Sequence, residues 1–133
     1  MQTFLSRLAP QVYPALRIIA GLMFLCHGIQ KLTGELGGHE VPLASQLGVG
    51  AVIELVTGAL IALGLGTRIA ALLASGQMAV AYIQFHWKLA HGAAFFPAVN
   101  GGELAVLYCF VFLMIACSGA GKLSIDEAIQ RRR

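Results

Sequence analysis

The chain has 133 residues, enough for one domain, and 58% of them are apolar while only 11% are charged. A soluble domain ordinarily carries about 25% charged residues, and one this short leaves too much of its area in water to hide such an apolar surface. The formal charge of +3 does not point to nucleic acid, because Arg131, Arg132 and Arg133 end the chain and the other basic residues stand singly between apolar runs.

A helix needs about 20 apolar residues to cross the hydrocarbon of a bilayer. Four windows have that length: residues 12–32, 47–65, 69–88 and 101–119. The pattern predicts one domain over 1–133, an all-α integral membrane four-helix bundle with the lipid bilayer as its solvent. Arg17 interrupts the apolar core that a cleaved signal peptide would need at the start of the chain. Between the first two windows, Thr33 to Gln46 holds three glycines, Pro42 and two glutamates, a connection rather than a span. Gly64-Leu65-Gly66-Thr67-Arg68 reads as a tight turn between the second and third helices. Ala90 to Asn100, with Gly92 and Pro97, separates the third from the fourth. After the fourth, Ser124 followed three residues later by Glu127 marks the start of a short C-terminal helix.

Small residues recur at packing intervals: Gly50 and Gly58 on the second helix, with Glu54 four residues from each, and Ala70, Ala74 and Ala81 on the third. Such stripes let membrane helices approach closely. Cys26, Cys109 and Cys117 form no metal or CxxC spacing and read as small apolar residues. Arg7, Arg68, Lys122 and the terminal arginines fall on one side of the predicted spans, against Lys31 and Lys88 on the other. The positive-inside rule then places both termini in the cytoplasm of a bacterial-type inner membrane.

Ionisable groups inside a span are costly and tend to mark function. Here they are Arg17, His27, Lys31, Glu54, His86, Lys88 and Glu103, with Gln77, Gln84 and Asn100 as polar neighbours. At about 1.5 Å of rise per residue, His27 lies roughly 6 Å beneath Lys31, and Glu54 about two turns below the outer start of its helix. His27 and Lys31 share a helix face, and Arg17, on nearly the same side, lies toward the cytoplasm. Glu54 and Glu103 are the available anionic partners for Lys31 and a protonated His27. The expectation is an outward polar pocket, for a ligand or a proton, built from His27, Lys31, Glu54, His86, Asn100 and Glu103, with Arg17 as the inner candidate. Lys31 and Lys88 also fit lysines that snorkel to head groups. His86 beside Trp87 also fits an interfacial aromatic belt, and Asn100 fits a cap for the fourth helix. His27 and His86 lie at similar depth, as a bundle haem would need, but two boundary histidines do not specify haem, and zinc or another metal is not expected.

These residues carry a family resemblance. Arg17-Ile-Ile-Ala-Gly21, Phe24 and His27-Gly28-Ile-Gln-Lys31-Leu32 resemble the opening of the DoxX family. Glu54-Leu-Val-Thr-Gly58 and Leu63-Gly64-Leu-Gly66-Thr67-Arg68 resemble its second block. Asn100-Gly101-Gly102-Glu103, Tyr108-Cys109 and Gly119-x-Gly121-x-x-Ser124-Ile125-Asp126 resemble its close, so that the likeness runs over residues 15–128. The resemblance implies a link to redox metabolism, since some members are membrane subunits of thiosulfate:quinone oxidoreductase and others are associated with quinone or oxidative-stress resistance. Arg17, Lys31, Glu54 and Asn100 match its recurring polar positions, and His27 and Glu103 fit a subset of it.

Two functions follow as expectations. One is a quinone-linked oxidoreductase subunit, in which His27 or Lys31 donates to a quinone, Glu54 or Glu103 relays protons, and a soluble or membrane redox partner supplies electrons because no cofactor motif is visible. The other is a non-enzymatic scaffold, chaperone or small-solute carrier, and transport by so thin a bundle would need a homo-oligomer.

Overall fold

The computed structural model describes residues 4–132, so Arg133 lies outside the described residues. The regular structure there is helical throughout: α1 (Phe4–Thr33), α2 (Gln46–Leu63), α3 (Thr67–Ala81), the short α4 (Pro97–Asn100), α5 (Glu103–Ser118) and α6 (Ile125–Gln130). α1 begins at Phe4 rather than Val12, and runs through Pro10 and Pro14 without ending. α3 continues as a π-helical turn, Tyr82–Trp87, that stops at Lys88 in the left-handed region. α1, α2 and α3 with its π turn are long and apolar enough to cross a membrane, while α5 is an apolar helix of 16 residues. At 1.5 Å per residue α5 is roughly 24 Å long, short of a ~30 Å hydrocarbon core. The expected fourth window loses its first two residues to the turn at Gly101 and Gly102. The chain is a four-helix membrane bundle with a short C-terminal helix.

Two tight hairpin-like pairs, α1 with α2 and α3 with α5, are joined by the looser α2–α3 contact. Glycine decides the first pair. A Cβ on Gly58 would stand 2.5 Å from the Leu25 amide nitrogen and 2.8 Å from the Gly21 carbonyl oxygen. Two turns along, a Cβ on Gly28 would meet the Leu55 nitrogen at 2.6 Å and the Ala51 oxygen at 2.8 Å. The helix backbones therefore touch, and no larger residue fits. Alanine does the same for α3, whose Ala71 and Ala74 are fully buried. The centre is aromatic: Phe24 of α1 packs on Tyr108 and Phe112 of α5, with ring centroids 5.5 and 4.7 Å apart. Outward-facing leucines, valines and phenylalanines such as Leu72, Leu73, Leu107 and Phe110 stay exposed, as lipid-facing side chains do.

Local chemistry sets the ends. Ser45 caps α2 by accepting from the Gly48 N–H, and Gly64, at φ 70°, closes it in the left-handed conformation that starts the turn. Ser124 caps α6 through the Glu127 N–H, but the Glu127 carboxylate pairs with Arg131 at 2.6 Å instead of completing a capping box.

Candidate functional site

Helix polarity brings the end of α1, the start of α2, the π turn and the start of α5 to one end of the bundle. Lys31, in the last turn of α1, reaches Glu54 of α2, with 2.6 Å between Nζ and Oε1. Glu54 is 1% exposed, whereas the Lys31 side chain is 35% exposed, so the pair joins a buried anion to a cation at the rim. Gln77 of α3 donates from Nε2 to the same Oε1 at 3.1 Å and to the Gly50 carbonyl at 3.0 Å. These bonds span the loose α2–α3 seam.

A groove of about 660 Å³ opens along that seam. Its walls are mainly apolar, including Leu47, Ile53, Leu72, Leu73 and Phe85, and its polar lining includes Lys31, Glu54, Gln77 and His86. Gln46 and Gln84 also line or flank it and bond to each other near the surface. Two buried atoms of the lining have no hydrogen-bond partner: Glu54 Oε2 and Gln77 Oε1. Buried polar atoms are almost always satisfied, so two orphaned acceptors on residues that line one groove are exceptions that ask for an explanation.

The other predicted residues divide. His86 lines the groove, and its Nδ1 lies 3.4 Å from the Asn100 carbonyl oxygen. Asn100 is a stitch in the connection: its side chain donates to the Ala94 carbonyl at 2.9 Å and to the Tyr82 hydroxyl at 3.2 Å, and accepts from the Gly102 N–H at 2.8 Å. His27 turns toward α5, with Nδ1 3.1 Å from Gln30 Oε1 and its ring edge-on to Tyr108. Glu103 opens α5, exposed to the surroundings. Lys88 is exposed past the π turn. The structure thus joins Lys31, Glu54 and His86 in one groove, and it sets His27, Asn100 and Glu103 apart from that groove's lining.

Arg17 belongs to the opposite end. It is fully buried and donates to the carbonyls of Ile61 at 2.6 Å, Ala62 at 2.7 Å and Leu123 at 2.8 Å. The first two are late carbonyls of α2, so the guanidinium caps that helix and holds the tail against it. Asp126 caps α3 in turn, accepting from the Gly66 N–H at 2.8 Å, the Thr67 N–H at 3.0 Å and the Thr67 hydroxyl at 2.9 Å. Partial burial pushes the Asp126 carboxyl up, but these three hydrogen bonds and the Arg17 charge outweigh it and hold the group below its ordinary value. Tyr13 donates to the Gly119 carbonyl at 2.5 Å, and Arg68 to those of Ala116 and Cys117.

Gln77 is the groove residue that sequence reasoning left as a mere neighbour. Its signal was present, an amide in the middle of an apolar span, but only the register of α3 against α2 sets it on Glu54. Among the described residues no three histidine, cysteine, aspartate or glutamate side chains converge to hold a metal ion.

Comparison with known proteins adds a lineage. An uncharacterized protein of Haemophilus influenzae is 41% identical over 92% of this chain and 94% of its own length. An uncharacterized membrane protein of Mycobacterium tuberculosis is 29% identical over 88% of this chain and 80% of its own. A Bacillus subtilis protein named "Putative oxidoreductase CatD" is 30% identical over 86% of this chain and 84% of its own. No solved structure matches. The DoxX family profile matches residues 13–87, which hold Arg17, Lys31, Glu54, Gln77 and His86, and the chain is a member of the DoxX family.

Proposed function

We propose that this protein is a quinone-linked redox subunit of the inner membrane, and that its α2–α3 groove receives the head group of a membrane-soluble quinone. The observation that carries this reading is the buried Glu54 carboxylate in an apolar groove, ion-paired to Lys31 yet keeping one unpartnered oxygen. An apolar pocket with a few convergent polar groups is the usual form of a small-molecule site. A quinone ring with a lipid tail suits an apolar seam between two spans. Glu54 and Gln77 would hold the head group, and Lys31 and His86 would flank it. The quinone supplies the electron-carrying chemistry, and the protein supplies position and a polar route toward the rim at Lys31. Electrons enter through a redox partner, in keeping with the oxidoreductase in the name of the Bacillus subtilis relative. The excess of basic residues at the Arg68 end supports an orientation with both termini in the cytoplasm and the groove toward the outer side.

The test is to purify the protein in detergent, extract bound lipophiles with organic solvent, and repeat with Glu54→Leu and Lys31→Ala. A quinone recovered with the wild type and lost from both folded variants supports the reading. Absence of any quinone from the wild type, and no binding of added decylubiquinone or decylubiquinol, refutes it in favour of a scaffold or carrier.

A further inference from the structure

We propose that the groove selects the reduced, hydroxyl-bearing form of its ligand over the oxidised, carbonyl-bearing form. This rests on the reading of the groove as a quinone site and adds a redox preference to it.

The argument is a count of donors and acceptors. A quinone head group presents carbonyl oxygens, which only accept; a hydroquinone presents hydroxyls, which donate. In the buried part of the groove the protein's own donor is already used: Gln77 Nε2 serves the Gly50 carbonyl and Glu54 Oε1. What remains are Glu54 Oε2 and Gln77 Oε1, both buried and both without a partner. An ion-paired carboxylate and an amide oxygen can only accept. His86 adds no buried donor. Its Nδ1 faces the Asn100 carbonyl oxygen, which places the hydrogen of the neutral ring there and leaves Nε2 with a lone pair.

Lys31 is the one further cation in the lining. One of its three ammonium hydrogens goes to Glu54 at 2.6 Å, and the other two belong to a side chain that is 35% exposed, at the rim and not in the buried part of the groove. Gln46 and Gln84 are exposed and bonded to each other. A hydroquinone hydroxyl would satisfy an orphaned oxygen at Glu54 or Gln77. A quinone carbonyl at the same place would set oxygen against oxygen and leave both orphans unsatisfied. Satisfying one buried acceptor, with the repulsion removed, corresponds to a preference of about tenfold or more.

The experiment uses the full chain in phosphatidylcholine nanodiscs under anaerobic conditions, titrated with decylubiquinone and separately with decylubiquinol, with binding read by calorimetry. The expected result is at least about tenfold tighter binding of decylubiquinol. Glu54→Gln can turn an amide N–H into the groove, so its preference should fall toward parity. Gln77→Met removes one acceptor, keeps the Lys31–Glu54 pair and should lower the preference in part, which carries the test if Glu54→Gln fails to fold. Equal binding of both forms, or tighter binding of decylubiquinone, overturns the selectivity and leaves the site standing. No binding of either form overturns the quinone reading itself and the selectivity with it. Displacement of both forms by phosphatidylglycerol in the nanodisc assigns the orphaned acceptors to a lipid head group and also overturns the proposal.

Discussion

Arg17→Met removes the guanidinium but keeps an unbranched apolar stem, so the packing of α1 changes little. The wild-type side chain makes three hydrogen bonds at 2.6–2.8 Å to Ile61, Ala62 and Leu123. Its Nε makes none, so the loss is confined to those three. Ile61 keeps a second donor in the Gly64 N–H at 3.2 Å, which leaves the Ala62 and Leu123 carbonyls as the atoms stranded by the change. Hydrogen bonds to charged groups contribute about 1.5–3 kcal/mol each, and part of that returns because the buried charge is also gone. The expected destabilisation is about 3–5 kcal/mol, and Arg17→Lys should fall between, since one ammonium cannot span carbonyls on two elements as a planar fork does. Unfolding by sodium dodecyl sulfate in mixed micelles, followed by circular dichroism, measures the loss. Trypsin cleavage at Lys122 measures release of the tail, which Leu123 ties down. An Arg17→Met protein with wild-type unfolding and an equally protected Lys122 would refute the structural role assigned to this residue.

Gly58→Ala places a methyl against the backbone of Leu25 and Gly21, where no side chain can move aside, and should cost about 2 kcal/mol or more in the same unfolding assay. Lys31→Met strands the buried Glu54, but Lys31 is about a third exposed and water screens the pair, so the expected loss is about 1–2 kcal/mol. The double variant Lys31→Met with Glu54→Gln should be more stable than the sum of the single effects predicts, and simple additivity would show that the pair is not coupled. The Asp126 carboxyl is held below its ordinary value of 3.8, so its contribution is fully present above that value and is lost as pH falls through the lower folded value. Hydrogen exchange of α6 and of the Gly66 and Thr67 amides should therefore stay slow from neutral pH down to about 4 and rise below it. Asp126→Asn should exchange fast across the whole range.

The sequence by itself determined the solvent and the elements. A 16-residue or longer run of apolar side chains has one stable form in hydrocarbon, the helix, because only a helix satisfies its own backbone there. Gly64, Gly66 and Ser124 act over a few residues, so the turn and the start of α6 could be read directly. The ionisable residues inside the spans could likewise be singled out, because a charged group within an apolar run stands out in the sequence alone. Which of them meet depended on tertiary structure. The glycine contacts Gly21–Gly58 and Gly28–Ala51 fix the register of α1 on α2, and that register puts Lys31 over Glu54. The seating of α3 decides that Gln77 joins them, while His27 turns to Tyr108 of α5 and Asn100 is held in the connection before α5. Helical periodicity gives the face of a residue, but rotation and rise against a partner helix follow from close backbone packing, which no single segment encodes.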